Sequence, residues 1–139
     1  MNPAHDRYRQ YLETLSPETL RGLSEYVSTD VHFKDPFNDV RGVHAMSRVL
    51  QHMFENVQDI QFEVQHMASI GEVCLMSWRF EGCLADNPWL FDGSSVVRFA
   101  KDGRVLEHID HWDAAKDFYE RLPIIGRLLA FLRRRLCAD

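Results

Sequence analysis

Asp35 lies in the run Val31-His32-Phe33-Lys34-Asp35-Pro36-Phe37, where a short apolar strand stops at a proline. Pro36 biases the residue before it toward extended backbone and cannot continue a ladder, so the Asp35 carboxylate sits at the edge of an element. Phe33 and Phe37 flank it. A carboxylate between apolar side chains is partly desolvated, which raises its pKa toward the range where it takes and returns protons. An isolated Asp-Pro is otherwise a turn aspartate that caps a loop. The second concentration of ionisable groups is Val105-Leu106-Glu107-His108-Ile109-Asp110-His111-Trp112-Asp113. Strand alternation puts Leu106, His108, Asp110 and Trp112 on one face and Val105, Glu107, Ile109, His111 and Asp113 on the other. A strand that only roofs a core is apolar on its core face. This one mixes apolar and ionisable groups on both faces, as a strand at a site or at the surface does.

These residues suit general acid–base chemistry. There is no Gly-x-Ser-x-Gly elbow, and Ser94 or Ser95 near a histidine is weak support for a nucleophile. No Gly-x-Gly-x-x-Gly or phosphate loop occurs, so no nucleotide cofactor is implied. His108 and Asp110, with His111 directed to the opposite face, make a poor ligand set, so no metal is expected.

The elements that must position these groups fall in two halves. Tyr8, Tyr11, Leu12 and Leu15 form an amphipathic helical stripe. Ser16-Pro17 reads as an N-cap followed by a proline at the first helical position, with Leu20, Leu23 and Val27 continuing a second helix. After the strand around Phe33, the loop Asn38-Asp39-Val40-Arg41-Gly42 leads to a third helix that buries Val43, Met46, Leu50, Met53 and Phe54. Strands follow. Ile60, Phe62 and Val64 alternate with polar residues, Gly71-Glu72 turns the chain, and Cys74, Met76, Trp78 and Phe80 alternate with Leu75, Ser77, Arg79 and Glu81. A polar loop at Asp86-Asn87-Pro88 precedes the strand Phe91–Ala100, which turns at Asp102-Gly103 into the strand from Val105. Helices first and antiparallel strands after imply an α+β fold, a curved sheet wrapped on helices.

The 139 residues make a single domain, 1–139, large enough to bury a core. Hydrophobic content of 45% and charged content of 27% are those of a soluble globular chain, and a net charge of −5 does not invite nucleic acid. Cys74, Cys83 and Cys137 are odd in number and lack ligand spacing, which suits free thiols in a reducing compartment. The start Met1-Asn2-Pro3-Ala4-His5-Asp6 lacks the regions of a signal peptide, and no apolar run reaches membrane-spanning length. A cytoplasmic location is expected.

Three landmarks resemble the nuclear transport factor 2-like superfamily, which includes ketosteroid isomerases, SnoaL-type polyketide cyclases, limonene epoxide hydrolase and scytalone dehydratase. They are Phe33-Lys34-Asp35-Pro36 after two helices, the hairpin Val96-Val97-Arg98-Phe99-Ala100-Lys101-Asp102-Gly103-Arg104-Val105, and the closing Asp110-His111-Trp112-Asp113. The resemblance covers residues 5–115. It implies a cone, with three N-terminal helices in the concave side of a curved antiparallel sheet (cystatin-like or ketosteroid isomerase-like), an apolar pocket at the mouth, and a homodimer through the sheet. Carried over residue by residue from ketosteroid isomerase, Tyr11 falls on the first-helix tyrosine, Asp35 on the proton-shuttling aspartate and Asp92 on a second aspartate. By that analogy Asp35 is the general base, while Tyr11 and a protonated Asp92 stabilise an enolate oxygen. The chain departs from the pattern. Asp92 is followed by Gly93-Ser94-Ser95, and the closing strand brings His108 and Asp110, the latter near an aspartate that SnoaL-type cyclases and limonene epoxide hydrolase use as acid or base. Several carboxylates near one cavity titrate together. Arg79 and Glu81 resemble the hydrolase's Arg-x-Asp, but alternation sets them opposite Trp78 and Phe80.

The expected function is a cofactor-independent isomerase, cyclase, dehydratase or hydrolase acting on a small apolar or polycyclic ligand. Tyr11, Asp35, Asp92, His108 and Asp110 are its candidate catalytic residues, with Phe33, Phe37, Trp78 and Trp112 around the ligand. The alternative is a non-catalytic ligand-binding or dimerisation module of the same fold. Residues 116–139 lie beyond the resemblance and carry six Lys/Arg against three Asp/Glu, so they hold +3 and the remainder of the chain −8. Ile124 to Leu136, with its arginines and large apolar side chains, reads either as an interfacial membrane helix or, the favoured reading, as a helix packed on the cone or on a second subunit. Its stripe of Ile125, Leu128, Leu129 and Leu132 is expected to close over the pocket rim, hinged at Pro123 and Gly126.

Overall fold

The computed structural model describes residues 2–137; residues 138 and 139 of the expected C-terminal extension, and Met1, lie outside them. The Asn2 side chain accepts the Ala4 amide at 2.9 Å and Pro3 occupies the first turn, so α1 (Pro3–Glu13) begins where an N-cap followed by proline places it. It buries His5, Tyr8 and Tyr11. The Ser16 hydroxyl caps the next turn by accepting the Thr19 amide at 3.2 Å. That turn, Thr19–Glu25, is a 3-10 segment rather than the expected α-helix. Gly22 in its middle disfavours α-helix, and so short a run gains little from one.

The chain continues as β1 (Val27–Lys34), β2 (Asp39–Arg41), α2 (Val43–Asn56), β3 (Val57–Ile70), β4 (Val73–Leu84), β5 (Asn87–Phe99) and β6 (Val105–His111). Past the sheet come α3 (Ala114–Asp117), a 3-10 turn (Tyr119–Arg121) and α4 (Ile125–Arg135). The six strands form one curved, open sheet in the order β2-β1-β6-β5-β4-β3. All neighbours are antiparallel except β1 and β6, which run parallel. That pair joins the first long strand to the last, so no hairpin dictates its direction. Among the described residues no helix is long and apolar enough to cross a membrane.

Three readings of the sequence change. The loop at Asn38–Gly42 contains β2, which pairs Val40 with Phe33. Asn87 and Pro88 open β5 instead of standing in a loop, and the turn falls on Ala85 and Asp86, both at positive φ. In β6 the register slips between Arg98 and Phe99, so Val105 is fully buried with His108 while Leu106 turns out to solvent. An extra residue in one strand reverses alternation on one side of it. From His108 onward the expected face holds, with His108 and Asp110 opposite the inward residues Val97 and Ser95 of β5.

The inner face of the sheet, α1, the 3-10 segment and α2 enclose the core, in which Tyr8, Val31, Phe33, Met46, Cys74, Met76, Trp78 and Val97 are buried. Helix α4 does not close over it. Ile125, Leu128 and Leu132 of α4 are exposed.

Candidate active site

The apolar face of α2 does not seat fully on the sheet. Val49, Leu50, Met53 and Phe54 remain only partly buried because a cavity of about 520 Å³ lies between them and the inward aromatics of β3, β4 and β5, Phe62, Trp78, Phe80, Trp89 and Phe91. Cavities of that size accept small organic ligands. Trp112 and Phe118 continue the aromatic wall past β6, with the Trp112 ring 4.4 Å from Phe91 and the Phe37 ring at 5.2 Å from Trp112. The ionisable lining groups are Glu13, Asp35, His52, His108 and Asp110; among the described residues no lysine or arginine lines the space.

Two donor chains converge on Asp110. The Trp78 indole N–H donates to Ser95 Oγ at 2.8 Å, and the Ser95 hydroxyl donates to Asp110 Oδ1. From the other side, the Tyr8 hydroxyl and His108 Nδ1 are 2.8 Å apart, and His108 Nε2 is 2.6 Å from the same Asp110 oxygen. Burial first, and the nearby Asp110 charge second, push the Tyr8 phenol well above its usual range. Tyr8 therefore keeps its proton, and when it donates that proton to Nδ1, Nε2 carries the hydrogen given to Asp110. Asp110 Oδ1 receives both donors, and Oδ2 has no hydrogen-bond partner among the described residues.

Asp35 stands in the turn between β1 and β2. Its Oδ1 accepts the Phe37 amide at 2.8 Å, the Asn38 amide at 2.7 Å and the Asn38 side-chain amide at 3.1 Å. It is thus a turn-capping aspartate and a cavity-lining one together. Burial raises its pKa; the hydrogen bonds from Phe37 and Asn38 oppose the rise, and Asp110 adds to it. A carboxylic acid that holds its proton to higher pH and a carboxylate fixed by two donors open on one apolar space, an arrangement that can deliver a proton at one point and remove one at another.

Asp35, His108, Asp110, Phe33, Phe37, Trp78 and Trp112 all line the cavity. Tyr11 does not. Its hydroxyl donates to the Thr19 carbonyl at 3.0 Å, its ring stacks on Tyr26 at 3.8 Å, and burial pushes its pKa up to about 12. Asp92 is also elsewhere: it pairs across the ladder with Arg79 on the outer face, with Arg79 Nε at 3.1 Å from its carboxylate and 62% of its side chain exposed. Strand parity explains this, since Trp89, Phe91 and Ser95 point inward and Asp92 alternates with them. The same parity marks Ser95 as an inward polar residue. Tyr8, three residues before Tyr11 on the same stripe, is the tyrosine that reaches the site.

Gly93 shapes the wall. A Cβ there would sit 2.4 Å from the Trp78 ring. Gly93→Ala is expected to tilt Trp78 off Ser95 and to cost about 1–3 kcal/mol in stability. Urea unfolding of the variant measures the loss, and unchanged stability would show that the indole has room to move.

A family profile of SnoaL-like domains matches residues 8–108. No curated protein matches the chain. Similar solved structures include an NTF2-like protein of unknown function from Burkholderia pseudomallei, at 17% identity, with 83% of this chain and 94% of that chain covered and a TM-score of 0.73. An LEH-like epoxide hydrolase from M. tuberculosis aligns at 19% identity over 98% of this chain and 94% of its own, with a TM-score of 0.70. A putative SnoaL-like polyketide cyclase from Jannaschia aligns at 12% identity over 80% and 88%, also with a TM-score of 0.70. At such identities the likeness concerns the fold.

Proposed function

The chain belongs to the SnoaL-like domain family, and from that premise we propose that its cavity is the active site of a cofactor-independent acid–base catalyst for a small, apolar substrate. The observation that carries this reading is the opening of Asp35 and Asp110 onto one apolar cavity, in different hydrogen-bond settings. In the proposed cycle the unpartnered Oδ2 of Asp110 removes a proton from the substrate carbon or from a water. His108 and Ser95 hold that carboxylate in place and take up part of its changing charge, and Asp35 delivers a proton to the oxygen that becomes negative. Tyr8 acts through His108 as a positioning residue. The aromatic wall excludes water, which strengthens these interactions. Isomerisation, aldol-type cyclisation, dehydration and epoxide opening all use such a removal and delivery, after which the proton on Asp110 passes to product carbon or to water and Asp35 regains one from product or water, which resets the pair.

The test combines binding and turnover. Trp78, Trp89 and Trp112 line the cavity, so ligand entry is expected to change tryptophan emission. A panel of apolar ketones, β-hydroxy ketones and epoxides is then followed by NMR in deuterated water for proton exchange, elimination and hydration. Compounds that alter the emission without reacting in any class would favour the binding-module alternative.

We also propose a homodimer through the outer face of the sheet. Ala68, Leu75, Val96 and Ile109 form one transverse row across β3 to β6, with Val73 and Ile70 beside it. Apolar rows bordered by charged residues such as Arg98 and Glu107 suit an association surface. Sedimentation velocity is expected to show a dimer that Leu75→Arg converts to monomer. A wild-type monomer at high micromolar concentration would refute the assignment.

A further inference from the structure

In α4 and its two flanking residues, spacing at about 100° per residue gathers Ile124, Ile125, Leu128, Phe131, Leu132 and Leu136 into one sector of about 140°. All six are exposed, Ile124 by 83%, Leu128 by 58% and Leu136 by 89%. The direction of that sector follows from the opposite side of the helix. Gly126 rests on the Glu120 backbone so closely that a Cβ would lie 2.3 Å from its carbonyl oxygen. The two ends of this contact are tied by Arg133, whose guanidinium donates to Glu120 at 2.7 and 3.0 Å. With the glycine side against the Tyr119–Arg121 turn, the apolar side faces away from that turn and stays exposed.

We propose that α4 docks the protein reversibly on an anionic lipid surface, its apolar sector at the acyl boundary and its arginines at the phosphates. Charge favours that occupant. Four arginines and no acidic residue lie in α4, whereas residues 1–115 carry −8 of the net −5, so the domain is repelled by an anionic surface that the helix alone can approach. Arg135 decides between a lipid surface and a protein groove. By the same spacing it falls inside the apolar sector, where a groove would bury its charge, while at a lipid interface its stem lies along the acyl chains and its guanidinium rises to the headgroups. The docked helix is close to the cavity wall in the chain. Phe118 lines the cavity, and the Tyr119 ring stands 6.0 Å from Phe37, which also lines it. If the proposed catalysis holds, docking brings apolar substrate from the bilayer to that wall; the docking itself does not depend on it.

The test sediments the full chain with sucrose-loaded vesicles of phosphatidylcholine alone and with about one third phosphatidylglycerol. Binding is expected to be at least about tenfold stronger on the anionic vesicles and to fall with added salt. Leu128→Asp/Leu132→Asp is expected to abolish it, and Arg134→Gln/Arg135→Gln to weaken it by about tenfold, with melting temperatures unchanged because these side chains are exposed. Wild-type protein that stays in the supernatant, or leucine variants that bind as wild type, would overturn the proposal. So would a lipid-free dimer that Leu128→Asp/Leu132→Asp turns into monomer, since a second copy would then cover the stripe.

Discussion

Asp110→Asn is expected to lower turnover by about 10²–10⁴-fold while leaving the affinity for a neutral apolar ligand within a few-fold. The amide preserves the shape of the carboxylate and can still accept from Ser95 and His108 on its oxygen. It cannot take a proton. Asp35→Asn is expected to produce a comparable loss with a different pH signature. As a general acid Asp35 must be protonated, and burial raises its pKa above the usual carboxylate value. Wild-type kcat/KM therefore falls as pH rises through that raised value, and the Asn variant lacks this limb. Stopped-flow or NMR rates across pH, beside tryptophan-emission titrations, check both. A variant at either position that keeps wild-type turnover removes that residue from the catalytic step.

The second large effect concerns ligand charge. Asp35 and Asp110 face a cavity that, among the described residues, no lysine or arginine lines. The basic groups in the lining are the His52 and His108 imidazoles, and His108 is already bonded to Tyr8 and Asp110. Among probes of one shape, an adamantane amine, alcohol and carboxylate, the amine is expected to bind at least about 100-fold more tightly than the carboxylate, a difference of about 2.8 kcal/mol, with the alcohol between. Coulomb energies of a few kcal/mol at contact distance in a medium of intermediate polarity make that gap modest. Asp110→Asn should draw the amine toward the alcohol and leave the alcohol unchanged. Tryptophan-emission titrations measure all three, and tighter binding of the carboxylate would show that the cavity holds a compensating positive field.

Much of the fold was legible because it depends on near neighbours along the chain. The Tyr8, Tyr11 and Leu12 stripe marks the first helix, Asp102-Gly103 turns a hairpin, and alternation in Cys74–Phe80 names the buried face of β4. Asp35, His108 and Asp110 stood out as candidates for the same reason: each is ionisable beside apolar neighbours in a strand or at its edge. Tyr11 and Asp92 were drawn in by resemblance, although parity within β5 already set Asp92 apart from Phe91 and Ser95. Tyr8 and Tyr11 share one helical stripe, so periodicity alone does not separate them.

By itself, the sequence determined the first and third helices, most strand faces and the family to which the chain belongs, since periodicity, turns and alternation act over a few residues. Tertiary structure decided which ionisable groups meet. Tyr8 reaches His108 across 100 residues and Trp78 reaches Ser95 across 17, contacts set by strand order and helix placement. The slip that turned Leu106 outward is likewise set by a partner strand, and the close fit of Gly126 on the Glu120 backbone sets which side of α4 is covered. Burial is a property of the packed whole, and so the charges it perturbs become visible only there.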